Sequence, residues 1–399
     1  MANSDRIVFS TLFFAIFATV TGVGIVVPLL PVYARTLGAS GFMIGMIFGA
    51  FSLSRSFFLP IFGRLSDIKG RKPLIVPGML AYTLISIAFV LVENVSAMIL
   101  IRFVQGIASA MLLPVIQAYV GDITPKGREG TTMGIFNMSL FIGLSIGPVM
   151  GGFIHDWISL QAAFLSMGVL SLIGFLLAQI YLPARQHEKI IQHNRQPERW
   201  QKIISDPQIA GLFAFRFAYT ACIGIIWGFL PVLADAELSL SSTAIGFLVM
   251  TGICVSGMIH LPMGYLADRF DRRSMVCVGG IMVGGAVLSF AWADSFRDMF
   301  LASLLFGIGG GIAMPALMAI AVKKGNQAAA MGSVMSLLTV AHSLGMLAGA
   351  MLAGMMMDFF QLRLAFPVGG VAMFCGVIAF FIFARNAPGK TIAMGLRRR

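Results

Sequence analysis

The feature that most limits how this chain can fold is a recurring stretch of about 20 apolar residues with few or no charges. As a helix, such a stretch is long enough to cross a hydrocarbon core about 30 Å thick. We predict twelve transmembrane helices, numbered 1 to 12 in chain order. Their approximate bounds are 8–34, 41–62, 74–92, 97–121, 130–154, 161–182, 208–234, 241–263, 275–293, 298–322, 328–357 and 362–384.

The composition agrees with a chain that is mostly surrounded by lipid. Hydrophobic residues make up 58% of the sequence and charged residues only 11%. Soluble globular domains carry about 25% charged residues. Since this chain carries less than half of that share, most of its surface must face something other than water. The sequence therefore predicts an all-α membrane protein and not a soluble enzyme.

The basic residues are concentrated in one set of loops. The net charge of +12 would by itself suit a nucleic-acid-binding protein. With a cytoplasmic N-terminus, however, 22 of the 28 Lys and Arg residues fall in cytoplasmic segments, and only Arg35, Arg297 and Arg363 fall in outer loops. Cytoplasmic loops of membrane proteins are enriched in Lys and Arg. We therefore expect a multi-pass protein of the cell inner membrane, with both termini in the cytoplasm and no nucleic-acid partner.

The chain repeats itself at an offset of about 200 residues. Residues 24–34 (GIVVPLLPVYA) match 224–234 (GIIWGFLPVLA), and residues 63–72 (GRLSDIKGRK) match 264–273 (GYLADRFDRR). A parallel repeat places a substrate site between the two halves near the middle of the membrane. We predict three parts, namely an N-terminal six-helix bundle over 1–183, a cytoplasmic linker over 184–206, and a C-terminal six-helix bundle with a basic tail over 207–399.

Several motifs resemble those of the major facilitator superfamily. Residues 63–72 resemble its signature loop, and the loop at 264–273 repeats the pattern. Residues 143–152 (GLSIGPVMGG) resemble the antiporter motif of the proton-coupled drug-antiporter branch, and residues 102–106 (RFVQG) resemble its buried-arginine motif. Residues 22–33 resemble the helix 1 pattern of that branch. The resemblance covers essentially the whole chain and implies the major facilitator fold, with two pseudo-symmetric six-helix bundles.

The resemblance implies that the signature loop is a gate. A carboxylate is stabilised at the positive N-terminus of a helix, and in the superfamily the residue corresponding to Asp67 faces the start of helix 11. Arg71 can pair with Asp122, and Asp268 is the counterpart of Asp67 that faces the start of helix 5. The alternative is that these charges only fix loop topology. The candidate gating residues are Gly63, Asp67, Gly70, Arg71, Lys72, Asp122, Asp268 and Arg272.

Helix 5 carries glycines four residues apart, which let two helix backbones approach closely. The residues of this motif are Gly143, Gly147, Pro148, Gly151 and Gly152. Pro148 removes one backbone donor and permits a bend. In the second half Gly345 and Gly349 match two of the glycines, but Met346 replaces the proline, so we expect the packing groove there without the kink. Packing alone is one interpretation, and a contribution to exchange-type transport, which rests on the resemblance, is the other.

Three arginines lie within predicted helices, whereas all 16 acidic residues can be placed outside helices or at their ends. An unpaired guanidinium in the membrane costs about 3 kcal/mol or more, so Arg55, Arg102 and Arg216 are expected to face the central cavity and a partner. The alternative is that they bind helix-end carbonyls or lie near the inner surface. A cavity with arginines and no carboxylate favours neutral or anionic ligands.

His260 and His342 could carry a coupling proton, because histidine titrates near neutral pH, or could be hydrogen-bonded packing residues. Ser256 and Ser303 stand where Arg55 and Arg102 stand in the first half. The central path is therefore expected to be charged on one side only, with substrate and coupling chemistry in the first half. The candidate substrate and coupling residues are Arg55, Arg102, Gln105, Arg216, His260, His342, Tyr33, Gln117 and Trp227.

Together these patterns predict a secondary transporter that works by alternating access. The motifs in helices 1, 4 and 5 imply proton-driven export of small amphipathic compounds, as in multidrug efflux. The alternative within transport is movement of an anionic metabolite or lipid-like substrate, with or without proton coupling. An enzyme is weakly supported, since we find no His-rich metal cluster, phosphate-binding loop or nucleophile motif. We expect a monomer in the lipid bilayer without a metal or organic cofactor.

Overall fold

The computed structural model describes residues 3–125, 129–183, 206–267, 269–327 and 331–385. Twelve of its helices are long and apolar enough to cross a membrane, which confirms the predicted all-α membrane fold. The helices are helix 1 (Asn3–Val26 continued by Leu29–Thr36), helix 2 (Gly41–Lys69), helix 3 (Lys72–Val90), helix 4 (Val95–Asp122), helix 5 (Glu129–Trp157), helix 6 (Leu160–Tyr181), helix 7 (Pro207–Leu238), helix 8 (Ser242–Ala267), helix 9 (Arg272–Ser289), helix 10 (Phe296–Gln327), helix 11 (Met331–Phe359) and helix 12 (Ala365–Arg385).

Local chemistry accounts for where several helices begin and break. The side chains of Ser40, Asn94 and Ser159 each accept a hydrogen bond from a backbone N–H in the first turn of helices 2, 4 and 6. These residue types are preferred at this position because they satisfy a donor that lacks a helical partner. Helix 1 is interrupted at Pro28, whose ring removes one backbone donor and clashes with the preceding turn.

The two halves repeat one pattern of helix contacts. Helix 1 packs on helices 5 and 6, helix 2 on helix 4, and helix 3 on helices 4 and 6. In the second half helix 7 packs on helices 11 and 12, helix 8 on helix 10, and helix 9 on helices 10 and 12. The halves meet where helix 2 packs on helix 11 and where helix 5 packs on helix 8. The two halves are therefore related by a pseudo-two-fold axis. The linker predicted over 184–206 falls outside the described residues except for Asp206.

We call the end of the bundle that carries Arg71, Lys72, Arg272 and Lys324 the basic face, and the other end the opposite face. The helix backbones of the two halves are closest near the opposite face. A Cβ atom on Gly45 would lie 2.6 Å from the carbonyl oxygen of Ala350, so only a residue without a side chain fits there. Near the basic face, a Cβ on Gly63 or Gly264 would meet nothing within 4 Å. The molecule is therefore closed at the opposite face and open at the basic face.

Candidate substrate path and gates

Arg71 organises the signature loop at the basic face. Its guanidinium is buried and donates from Nε to Asp122 Oδ2 at 3.0 Å and from Nη1 to Asp67 Oδ1 at 2.6 Å. A third bond joins Nη1 to Ser66 Oγ at 2.5 Å. The backbone turns at Gly70 with φ of +89°, a conformation that glycine adopts far more readily than other residues. The Arg71–Asp122 pair expected from the sequence is therefore present.

Asp67 is bonded within its own half. Its side chain is 60% exposed and its carboxylate accepts from Arg71. The start of helix 11, its expected partner when the basic face is shut, includes residues 328–330, which lie outside the described residues. The gating role of Asp67 therefore stays a prediction.

Other members of the gating group hold helix ends within each half. Lys72 Nζ donates to the carbonyl oxygens of Gln179 and Leu182, at 2.8 and 2.6 Å, and so closes the end of helix 6. Arg272, the counterpart of Arg71, donates from Nε to Ala267 O at 2.8 Å. Asp268 lies outside the described residues. These contacts support a structural role for the two basic residues in the conformation described here.

The glycines of helix 5 pack against helix 1. A Cβ on Gly147 would lie 2.6 Å from the Thr21 carbonyl oxygen, and a Cβ on Gly143 would lie 3.1 Å from that of Phe17. Gly151 is placed equally tightly against Ile25. Gly345 and Gly349 of helix 11 make the same kind of contact with helix 7, so the packing groove predicted for the second half is present. The role of the motif in exchange-type transport stays a prediction.

Gly152 and Pro148 of this motif also face the other half. A Cβ on Gly152 would collide with the Ser242 carbonyl oxygen at the start of helix 8, and a Cβ on Gly246 would collide with that of Pro148. The end of the motif therefore forms part of the closed contact between helices 5 and 8. This face of the motif was not foreseen from the sequence.

Two carboxylates close the opposite face, and neither was predicted from the sequence to be a functional residue. Asp358 at the end of helix 11 accepts hydrogen bonds from the backbone N–H groups of Gly41 and Phe42, at 2.5 and 2.8 Å, which start helix 2 of the other half. Asp156 at the end of helix 5 accepts from the N–H groups of Ser242 and Thr243, at 3.1 and 2.8 Å, which start helix 8. Each carboxylate thus caps a helix N-terminus across the interface.

The signal that could have identified these caps is the repeat itself. The two aspartates stand at matching places in the halves, as do Arg35 and Asp235, which form an ion pair of 3.7 Å across the same face. A sequence alone does not reveal that a helix end meets the start of a helix from the other half. We refer to Asp156, Asp358 and the four N–H groups that they accept from as the opposite-face latch.

A cavity of about 320 Å³ lies between the halves at the depth of Arg55. Helices 2, 3 and 4 supply its polar side, and helices 1, 5, 7 and 11 supply most of its apolar side. The polar lining residues are Thr19, Arg55, Tyr82, Arg102, Ser109 and His342, whereas no Asp or Glu of the described residues lines it. Trp227 of helix 7 forms part of the apolar wall. The expected cavity with arginines and without a carboxylate is therefore present.

Arg55 and Arg102 differ in how their hydrogen-bonding groups are satisfied. Arg102 donates from Nε to Ile47 O at 3.1 Å and from Nη1 to Gln105 Oε1 at 2.7 Å, and its guanidinium lies 4.4 Å from the ring centroid of Phe51. The Nε atom of Arg55, in contrast, is buried and has no partner among the described residues. Arg102 and Gln105 thus form a satisfied internal pair, and Arg55 keeps an open donor.

A second, smaller cavity of about 160 Å³ lies in the second half. Ser256 and Ser303, the counterparts of Arg55 and Arg102, both line it. The rings of Tyr219 and Phe306 stack there, with centroids 5.9 Å apart and an interplanar angle of 8°. Leu144, Ile223 and Trp227 line both cavities, so the two spaces are neighbours. The central path is charged on one side and neutral on the other.

Arg216 and His342 form a pair between helices 7 and 11. Arg216 Nη2 lies 3.3 Å from His342 Nδ1, and its Nη1 lies 3.3 Å from the sulfur atom of Met314. His342 also lines the larger cavity. His260 instead lies 2.8 Å from the Ser256 carbonyl oxygen and packs on the ring of Phe141. Of the two histidines, His342 has the better access to the substrate path.

Two further candidates lie away from the cavities. The Tyr33 hydroxyl donates to the Val92 carbonyl oxygen at 2.8 Å, and its ring packs against Phe164. Gln117 is half-buried on helix 4 and lines neither cavity. Among the described residues, no group of His, Cys, Asp or Glu side chains could hold a metal ion. The polar chemistry of the path is therefore concentrated at Arg55, Arg102, Tyr82 and His342.

This fold and path belong to a class of membrane transporters. Residues 12–233 and again 212–395 match the sequence profile of the Major Facilitator Superfamily, and the chain belongs to that family. Its relatives include an uncharacterized MFS-type transporter of Methanocaldococcus jannaschii, 27% identical over 92% of this chain and 96% of the relative. They also include multidrug resistance protein 2 of Bacillus subtilis, 24% identical over 94% of each chain, in agreement with the resemblance to the drug-antiporter branch.

The fold is also similar to that of a solved transporter. A bacterial homolog of the human lysosomal transporter Spinster, in an inward-facing and unoccupied conformation, superposes with a TM-score of 0.77. It is 15% identical in sequence, and the match covers 96% of both chains. At this identity the likeness concerns the fold.

Proposed function

We propose that this protein exports small amphipathic compounds across the cell inner membrane in exchange for protons. The observation that carries the proposal is a largely apolar cavity between the halves, closed at the opposite face and open at the basic face. An apolar pocket with a few convergent polar groups is the usual form of a small-molecule site. The similarity to multidrug resistance protein 2 supports a drug-like substrate. The concentration of Lys and Arg supports a cytoplasmic basic face.

Alternating access requires that the closed face open and the open face close. The opposite-face latch supplies bonds that must break for release on that side. The signature loop with Gly63, Asp67 and Arg71 is the proposed gate of the basic face, because Asp67 is exposed at the end of helix 2 and a carboxylate is stabilised at a helix N-terminus. The two gates lie at opposite ends of the same helix pairs, so opening one accompanies closing the other.

We infer that His342 carries the coupling proton. It lines the cavity, lies beside Arg216 of helix 7, and shares the cavity with Arg55 of helix 2. Histidine can change its charge in the physiological pH range. Protonation beside two arginines would repel both and alter the contact between helices 7 and 11, which gives a route from proton binding to helix movement.

A transport assay tests this function. Inside-out vesicles that contain the protein are given fluorescent amphipathic dyes, with and without an imposed pH gradient. The proposal expects uptake that the gradient accelerates, and His342→Gln should abolish accumulation against a gradient while downhill movement continues. Uptake that ignores the gradient would remove proton coupling, and absence of uptake for every dye in vesicles with correctly folded protein would remove the export function.

A second candidate is the transport of an anionic metabolite or lipid-like compound. It is favoured by one observation, the absence of Asp and Glu from the lining of a cavity that contains Arg55 and Arg102. Including an anionic amphipath among the vesicle substrates separates the two candidates.

A further inference from the structure

Arg55 has the properties expected of an anion-binding residue. Its Nε atom is buried without a hydrogen-bond partner among the described residues, and the lining of its cavity contains no described carboxylate. A buried cation without a counter-ion is costly, and a buried donor without an acceptor adds to that cost. Such a group is retained at this cost if a ligand supplies the missing charge and acceptors. The planar guanidinium matches carboxylate and sulfonate geometry, in which two oxygens accept in parallel.

The position of Arg55 is held by the packing of its helix. A Cβ on Gly106 of helix 4 would lie 3.1 Å from the Arg55 backbone nitrogen, so helices 2 and 4 touch directly beside this residue. Arg102 bonds the carbonyl oxygen of Ile47 from the same side. The guanidinium of Arg55 therefore emerges from a rigid helix pair into the cavity.

The neighbouring cavity of the second half suits the apolar part of a ligand. It is lined by Phe141, Tyr219, Trp227, Phe290 and Phe306, and its polar groups, Ser256 and Ser303, are uncharged. Flat aromatic walls favour stacking with an aromatic ring system. The two cavities share Trp227 and together have a volume of the size that binds small molecules, about 300 to 1,000 Å³.

We propose that the two cavities form one bipartite site for aromatic anions. Arg55 binds the carboxylate or sulfonate group of the ligand, and the pocket between Trp227, Tyr219 and Phe306 holds its ring system. The ligand then contacts both halves at once. This inference rests on the proposed function and specifies its substrate class.

Two probes that differ by one charged group test the site directly. N-phenyl-1-naphthylamine is neutral, and 8-anilinonaphthalene-1-sulfonate carries a sulfonate on the same phenylamino-naphthalene skeleton. The full chain is placed in lipid nanodiscs with Trp157→Phe, Trp200→Phe and Trp292→Phe, so that Trp227 is the remaining tryptophan. Energy transfer from Trp227 to each probe then reports saturable binding beside the cavity.

Arg55→Gln should weaken binding of the sulfonate about tenfold or more, the loss expected for one hydrogen bond to a charged group. Binding of the neutral probe should change less than about twofold. Arg55→Lys should have an intermediate effect on the sulfonate, because it keeps the charge and loses the planar fork. Arg297→Gln is the charge control, since it removes an exposed arginine that lines neither cavity, and it should affect the sulfonate much less than Arg55→Gln.

Equal weakening of both probes by Arg55→Gln, or no weakening of the sulfonate, would overturn the bipartite site. Weaker binding of the sulfonate to Arg297→Gln, to the same extent as to Arg55→Gln, would also overturn it, because the effect would then come from net charge alone. The vesicle assay distinguishes this failure from a failure of the export function. If the neutral probe is transported but sulfonate binding does not depend on Arg55, the export function is supported and the bipartite site is wrong. If binding depends on Arg55 but neither probe is transported, the site is supported and the export function is wrong.

Discussion

The two halves of this protein share a scaffold but not a chemistry. Gly106 packs helix 4 against helix 2, and its counterpart Gly307 packs helix 10 against helix 8, where its Cβ would lie 2.7 Å from the Gly252 carbonyl oxygen. The residues that line the path next to these contacts differ, since Arg55 corresponds to Ser256 and Arg102 to Ser303. Small residues that set helix spacing are thus repeated, whereas polar residues that face the cavity are not.

The loops at the basic face differ in the same manner. Gly70 ends helix 2 with a positive φ, and helix 3 begins without a side-chain cap. The matching residue in the second half is Asp271, which caps helix 9 by accepting from the N–H groups of Arg273 and Ser274. In the first half a glycine with a positive φ forms the turn, whereas in the second half a side-chain hydrogen bond stabilises it. The same backbone path can therefore be formed by different residues at the turn.

The largest effect is expected from placing an arginine in the uncharged cavity of the second half. Ser303→Arg would bury a guanidinium at a position that is only 4% exposed, and Phe306 stands there in place of Gln105, an acceptor of Arg102. An unpaired buried charge destabilises by about 3–5 kcal/mol. Thermal unfolding of detergent-solubilised protein, monitored by size-exclusion chromatography, should show a large loss, and Ser303→Ala should show little. A stable Ser303→Arg protein would mean that this cavity can also accommodate an arginine.

The next effect concerns the glycines that face open space near the basic face. Gly63→Ala and its counterpart Gly264→Ala should leave the thermal stability of the present conformation unchanged, because the added Cβ atom meets nothing within 4 Å. Both should reduce transport at least tenfold if closure of the basic face brings these helices together, as helices 2 and 11 come together near Gly45. Normal transport by either variant would show that its helix does not take part in closing the basic face. The two halves would then differ in how they close that face.

The opposite-face latch should give a smaller effect that has the same direction in the two halves. Asp358→Ala removes two hydrogen bonds to a charged acceptor, and Asp156→Ala removes the matching two and a third from the Thr243 hydroxyl at 2.7 Å. Each loss should favour the conformation open at the opposite face by about tenfold. Spin labels on cysteines at the exposed positions Thr36 and Ala236, in a chain without its four native cysteines, would report the distance between the halves at this face. A shift in one variant only would show that a single cap holds the latch.

The smallest effect is expected at Asp271. Burial raises the pKa of this carboxyl group, but hydrogen bonds from Ser274 and from the Arg273 N–H outweigh burial and leave the pKa below its usual value. Asp271→Ala should cost about 1 kcal/mol of stability, whereas Asp271→Asn keeps the cap. Because the folded pKa is lowered, the stabilisation by the charge is present above about pH 4 and is lost as the pH falls through the folded pKa. Thermal unfolding of the two variants at pH 7 and at low pH checks both statements, and a pH-independent difference between wild type and Asp271→Asn would contradict the second.

Much of the fold could be predicted because lipid imposes a simple rule on the sequence. Apolar length located all twelve helices, and the repeat indicated which helices correspond. Helix ends were less accurate where a helix continues into water. Helix 2 ends at Lys69 and not near residue 62, because its last two turns are polar yet keep their backbone hydrogen bonds.

The site was predicted in part, for reasons that concern side-chain direction. Arg55 was expected to face the cavity, since an unpaired charge is costly elsewhere in a membrane, and it lines the cavity. His342, for which a coupling role and a packing role were both open, lines it too. Residue type alone does not tell whether Tyr33 also faces the path. Its position beside Val92 depends on the rotation of helix 1. The latch depends on contacts between helix ends far apart in sequence, as with Asp358 and Gly41, which no local pattern encodes.

The open donor on Arg55 bears on the turnover cycle. If the cavity closed at both ends while empty, water would leave the guanidinium, and the charge would be stranded in an occluded state at a cost of several kcal/mol. A bound anion would lower that barrier by supplying a counter-charge. An empty carrier would therefore return slowly and a loaded one quickly, so exchange of anion for anion across the membrane should outpace net flow. Arg55→Gln should remove this difference, and equal rates of exchange and net flow in the wild type would refute it.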